Sequence, residues 1–215
     1  MTRAARKRRT RRPKRRQPTL PVVDIVVASD LWRTQRNART VLRRSIAAAA
    51  SAVSATKGEL AVVLTDDSAI RALNRDWRRK DAATNVLSFP SDGAVKKPPK
   101  KQGNKKPGKM SRNTAAKNPI KNPIKATARE PRSARGAPRL LGDIVIAYET
   151  AAREARAEHK PFAHHLAHLA VHGFLHLLGY DHAADDEANA MEGLETAILA
   201  GLDVPDPYVA RDARG

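Results

Sequence analysis

All seven histidines of the chain fall between residues 159 and 182. Two of them, His172 and His176, stand four apart in "VHGFLHLLGYDH" (171–182). On a helix, residues four apart share a face, so both imidazoles can grip one ion. The next position on that face, Tyr180, lies beyond Gly179. Glycine adopts the left-handed conformation at a helix end without a Cβ penalty, so the chain can fold back there and bring His182 to the same point. Three neutral imidazoles with a fourth position open to water form the pattern of a catalytic zinc site. A single histidine on such a helix reads more simply as a core residue. Three at these offsets around a glycine read as metal ligands: His172, His176 and His182. His165 and His168 share roughly the same face, and one helix cannot offer five ligands to one ion. They are expected to support the ligands or fill the core, with His159 and His164 on the surface.

The offsets also match H-E-x-x-H-x-x-G-x-x-H, the metzincin metalloprotease pattern. In that pattern the glutamate after the first histidine is the general base. Here the position is Gly173, which can move no proton. The metal geometry is kept and the peptidase base is missing, so another substrate or another base is required.

The elements that must position these residues alternate along the chain. "VVDIVVA" (22–28) reads as a buried strand, and "ELAVVLT" (59–65) as a second. Between them, 37–55 is an alanine-rich helix with Asn37 as cap and Lys57-Gly58 as its end. Asp66 is placed to cap a short helix through "SAIRALNRDW". "NVLSFP" (85–90) and "LLGDIVIA" (140–147) read as third and fourth strands. Helices follow over 149–159, from Pro161 to Leu178, and over 185–202, where Met191, Leu194, Ile198 and Leu202 mark the buried stripe. The expected fold is one α/β (α+β) domain, a small mixed sheet of about four strands packed with helices, built from residues 20–90 and 140–210.

The net charge of +19 is unevenly placed. Residues 1–19 hold eight Arg, two Lys and no acid. Residues 91–139 hold ten Lys and five Arg against Asp92 and Glu130, and the remaining 147 residues are mildly acidic. Neither basic stretch has a hydrophobic period, so neither can recover its ordering entropy, and both are expected to be disordered: an arm over 1–19 and a Lys/Pro-rich insertion over 91–139. The plainest reading of such stretches is a solvated polycation. Each can also neutralise several phosphates, a salt-dependent and sequence-blind affinity for nucleic acid. The absence of cysteine excludes disulfides and thiolate ligands. No run of 18 apolar residues predicts a membrane span, and the N-terminus lacks a secretory apolar core, which together suggest a cytoplasmic protein with no membrane partner. The Arg-rich, acid-free N-terminus leaves a transit peptide as the minor alternative.

With these residues in view, the chain resembles the YbeY family of zinc-dependent bacterial endoribonucleases. "HGFLHLLGYDH" is similar to the family signature H-G-x-L-H-L-x-G-Y-D-H. "LNRDWRRKDAATNVLSFP" (73–90), "LGDIVIA" and "DDEANAMEGLETAILAGLDVPDPY" (185–208) resemble family segments on either side. The resemblance implies one Zn2+ per chain on His172, His176 and His182. It also implies a catalytic role for Arg78, and for His172 itself, in cleaving single-stranded RNA. The implied setting is maturation of small-subunit rRNA and ribosome assembly or quality control, with rRNA and small-subunit particles as partners. Arg78 would fork onto phosphoryl oxygens. Asp181 would orient a ligand or form the turn, and Asp143 would cap its strand or face the cleft. Two departures stand out: Arg79 replaces the usual glycine, and the 91–139 insertion replaces a short connection. The competing functions are a non-catalytic assembly factor stapled by zinc and, against Gly173, a metalloprotease.

Overall fold

The computed structural model describes residues 20–55, 57–91, 139–182 and 184–209. The expected basic arm lies outside the described residues, as does the expected insertion apart from Ser91 and Arg139 at its two ends. Four strands form one sheet: β1 (Val22–Val27), β2 (Glu59–Thr65), β3 (Val86–Pro90) and β4 (Leu140–Ala147). Their order is β1-β2-β4-β3, with β3 antiparallel to β4 and the other pairings parallel. Five helices complete the fold: α1 (Ala38–Ala52), α2 (Asp67–Arg78), α3 (Tyr148–Ala157), α4 (Phe162–Leu177) and α5 (Asp185–Ala200). This is the small mixed α/β sheet that the sequence predicts.

The two-residue period of the strands divides the core into two faces. Val62, Leu64, Val86, Ile144 and Ile146 join α1, α4 and α5 on one face. Val63, Leu87, Val145 and Ala147 meet Ile70 and Leu73 of α2 on the other. α4 is apolar nearly all round and is correspondingly the most enclosed helix, held between the sheet and its neighbours α1, α3 and α5. Gly142 has φ +129, and a Cβ there would lie 2.1 Å from the Phe89 carbonyl oxygen. The register with β2 shifts at this point, so Leu141 and Ile144 both face the larger core.

Several local expectations change. β1 is not a buried strand. It lies at the sheet edge, and only Ile25 is buried while Val22, Val26 and Val27 face solvent. Asn37 precedes α1 but makes no capping bond, because its own backbone is already helical (φ −91, ψ −3). α1 stops at Ala52, and Ser54 takes the left-handed turn (φ 54) that Lys57-Gly58 was expected to supply. A 3-10 turn at Asp30–Thr34, carrying the buried Trp32, has no counterpart in the sequence reading. α5 ends at Ala200, which leaves Leu202 beyond the helix. Asp66 does cap α2, its Oδ1 accepting from the Ala69 N–H at 3.0 Å.

The ends of the insertion lie together. Ser91 N–H donates to Leu141 O at 3.1 Å, and Arg139 O accepts from Glu59 N–H at 2.8 Å. Both ends therefore leave from the terminal rungs of the sheet. A long connection there adds little closure entropy, about 0.6 kcal/mol per doubling of length.

Candidate metal centre

The C-terminus of α4 builds the site. Tyr180 N–H reaches back to Leu175 O at 3.1 Å, and Gly179 carries φ 86, the left-handed turn that only glycine adopts freely. The reversal brings His182 onto the two helical histidines. Its ring stacks on that of His172, centroids 5.8 Å apart at 22°, and lies 5.1 Å from that of His176. The Nε2 atoms of His172 and His176 are 3.1 Å apart. One ligand atom from each of the three histidines lies within 4.8 Å of the other two. Nitrogens at 2.0–2.1 Å on a tetrahedral ion are separated by about 3.3 Å, so the group can hold a metal ion with little adjustment. His182 is exposed while His172 and His176 are half-buried, which leaves the group open on one side.

The other ring nitrogens decide whether these imidazoles can ligate. His176 Nδ1 lies 2.9 Å from Tyr180 O. A carbonyl only accepts, so the proton sits on Nδ1 and the Nε2 lone pair is free for the ion. His172 Nδ1 lies 2.8 Å from Glu195 Oε1, which imposes the same tautomer. Burial lowers the His176 pKa to about 4, with help from the charges of His172 and His182. That ring is therefore neutral at neutral pH, as a metal ligand must be.

Glu195, one of several acids on the last helix, is the residue that the sequence reading did not single out. It is fully buried. Its Oε2 accepts from His168 Nε2 at 2.9 Å and from the Tyr208 hydroxyl. Burial alone would raise its pKa; the hydrogen bonds from His168 and His172 outweigh that and bring it to about 2. Tyr208 is pushed up by burial and by this carboxylate. The available signal was position: Glu195 follows Met191 by four and precedes Ile198 by three, a core slot of α5. His168, His172 and Glu195 also satisfy the spacing of a metal group. Their ligand atoms are already hydrogen-bonded to one another, so they brace the first group.

The remaining candidates fall elsewhere. His165 is buried and pairs with Glu154 at 3.0 Å, and Glu154 also accepts from Asn85 Nδ2 at 2.9 Å. His159 is exposed, as expected. His164 is half-buried and, with Lys160, His168 and Pro207, lines a cavity of about 270 Å³. Asp181 accepts the His182 backbone N–H at 2.8 Å and so forms the turn. Asp143 is exposed within β4, opposite Phe89. Arg78 is the last residue of α2, exposed, with no hydrogen bond or ion pair among the described residues. α2 packs on the face of the sheet opposite α4, and no hydrogen bond or ion pair joins Arg78 to the histidines among the described residues. Gly173 faces the sheet: a Cβ there would lie 2.9 Å from Ile144 Cγ2 and 3.2 Å from Ser88 Oγ. The slot that carries the base in the peptidase pattern has no room here for a glutamate.

A mixed four-stranded sheet, a buried helix packed on it and three convergent imidazoles at that helix's C-terminal end, two of them tautomer-locked, define an α/β protein with a group that could hold a metal ion. The family model described as Endoribonuclease YbeY matches residues 27–203. A protein of that name from a Bradyrhizobium species is 47% identical over 91% of this chain and 97% of its own length. Those from Bradyrhizobium diazoefficiens and Rhodopseudomonas palustris are each 46% identical over 90% of this chain, and over 88% and 84% of their own lengths. The chain belongs to the endoribonuclease YbeY family.

Proposed function

We propose that this chain is a zinc-dependent endoribonuclease that cuts single-stranded RNA in the maturation of small-subunit rRNA. It works in the cytoplasm on rRNA and small-subunit particles, with one Zn2+ per chain on His172, His176 and His182. The observation that carries this reading is the convergence of three imidazoles, two of which, His172 and His176, have their Nε2 lone pairs freed by Nδ1 bonds to Glu195 and Tyr180 O. Three imidazole nitrogens within 4.8 Å of one another, with no cysteine in the chain, suit zinc. Among the described residues no helix is long and apolar enough to cross a membrane.

When bound, the ion supplies Lewis acidity at a phosphoryl oxygen or a water. The protein's own part is to hold His172 and His176 in fixed tautomers, to bring His182 onto them and to leave one side open to substrate. Arg78 carries a guanidinium with no hydrogen bond or ion pair among the described residues, available to fork onto two phosphoryl oxygens and to stabilise the charge that grows there. The basic stretches at 1–19 and 91–139 add phosphate affinity without choosing sequence.

The test combines metal analysis of the purified protein with cleavage of a structured rRNA fragment. Zinc near one per chain is expected, with cleavage abolished by chelation and by His172→Ala. Arg78→Ala is expected to lower cleavage about 100- to 1,000-fold, the usual loss for a group that stabilises developing charge. Full cleavage by the metal-free protein would overturn the reading. Rescue of ribosome maturation by zinc-loaded, cleavage-dead Arg78→Ala would favour the non-catalytic assembly factor.

A further inference from the structure

We infer that Trp77 is a stacking platform for a base of single-stranded RNA, on a cationic patch at the end of α2. This deepens the ribonuclease reading and rests on it. The chain has two tryptophans, and they are treated in opposite ways. Trp32 is 3% exposed and donates its indole N–H to Thr65 O at 2.8 Å. Trp77 is 70% exposed, the most exposed large apolar side chain among the described residues. Leaving an indole in water forgoes a large burial energy, and tryptophan is enriched at interfaces, where that energy is recovered on binding.

Trp77 is not loose. Its ring meets Phe89 at 5.6 Å and 66°, an edge contact that fixes the indole without covering it from both sides. The surroundings are cationic. Asp76 is taken by Arg75 at 3.2 Å and Asp81 by Arg71 at 2.8 Å. Arg78, Arg79 and Lys80 then remain with no ion pair among the described residues. An open aromatic face beside unpaired cations is the pairing that binds an unstacked base and its flanking phosphates. Base–aromatic stacking tolerates any sequence and requires bases free of a duplex.

The position also suits a substrate that continues to the metal centre. Phe89 and Ser88 are neighbours on β3, the sheet's edge strand, and point to opposite faces. Ser88 Oγ donates to Gly173 O at 3.2 Å, beside His172. The edge of β3 therefore separates Trp77 from the histidines, and no strand among the described residues lies beyond it. A flexible single strand can pass round this edge from the indole to the ion.

The experiment uses the full zinc-loaded chain and a short 2′-methoxy oligoribonucleotide that resists cleavage. Because Trp32 is buried, a change in indole emission on binding reports Trp77. Single-stranded RNA is expected to quench the emission, and Trp77→Ala to weaken binding about 5- to 150-fold, the range for one lost stack. Trp77→Phe, which keeps the contact with Phe89, should bind within about fivefold of native. Zinc content and melting temperature of Trp77→Phe serve as the folding control. If RNA binds without quenching and Trp77→Ala binds like native, the stacking role is wrong and the ribonuclease reading stands. Equal quenching by a duplex overturns the single-strand assignment. If the native protein binds no single-stranded RNA, both fall together.

Discussion

Replacing Glu195 by glutamine keeps the shape of a buried side chain and removes one of its two acceptor oxygens. The carboxylate accepts from His172 Nδ1 at 2.8 Å, from His168 Nε2 at 2.9 Å and from the Tyr208 hydroxyl. A glutamine amide can accept on its oxygen side only. If its NH2 faces His172, that ring must carry its proton on Nε2 and can no longer ligate. If it faces His168 and Tyr208, two buried donors lose their acceptor. Each loss costs about 1–3 kcal/mol. Disturbing such a partner typically weakens metal affinity about 10- to 100-fold, which is about 1.4–2.8 kcal/mol at one tenfold per 1.4 kcal/mol. Glu195→Ala removes the whole acceptor and should cost about 3–5 kcal/mol of stability, as for other broken buried networks. The assay is zinc competition against a chelator of known affinity, paired with thermal unfolding of the metal-free protein. Zinc binding by Glu195→Gln within twofold of native, at an unchanged melting temperature, would refute the claim that Glu195 sets the His172 tautomer.

Acid should destabilise the metal-free protein in two windows. His176 has a folded pKa lowered to about 4, so the unfolded chain binds the proton more readily and stability falls from about pH 6.5 towards 4. Glu195, lowered to about 2, adds a second loss as pH falls from about 4.5 towards 2; urea midpoints across this range, with His176→Asn flattening the upper window, check both. Gly173→Ala should destabilise by about 1–2 kcal/mol, because overpacking of about 1–3 kcal/mol exceeds the gain of about 0.5–1 kcal/mol from replacing a helical glycine. The new Cβ would press on Ile144 Cγ2 at 2.9 Å, and a lower denaturant midpoint is the readout. Arg79 holds the left-handed cap of α2 at φ 59. Arg79→Gly should relieve that strain and raise stability by about 0.5–1 kcal/mol, seen as a higher melting temperature.

What was legible in the sequence is what local geometry controls. The one-turn spacing of His172 and His176 and the freedom of Gly179 are properties of a few adjacent residues, so the convergence of the three histidines follows from them directly. The strand at 140–147 and the cap at Asp66 are local in the same sense. Gly173, read only as a missing base, is explained by the sheet that packs against it. The tertiary structure alone decided what depends on partners distant in the chain. Glu195 lies among acids that look solvated, and only the packing of α5 against α4 places it 2.8 Å from a ring 23 residues earlier. β1 is as β-branched as a central strand, yet strand order puts it at an edge. Trp32 and Trp77 are the same residue type with opposite exposure, because burial is settled by which surfaces meet and not by the side chain itself.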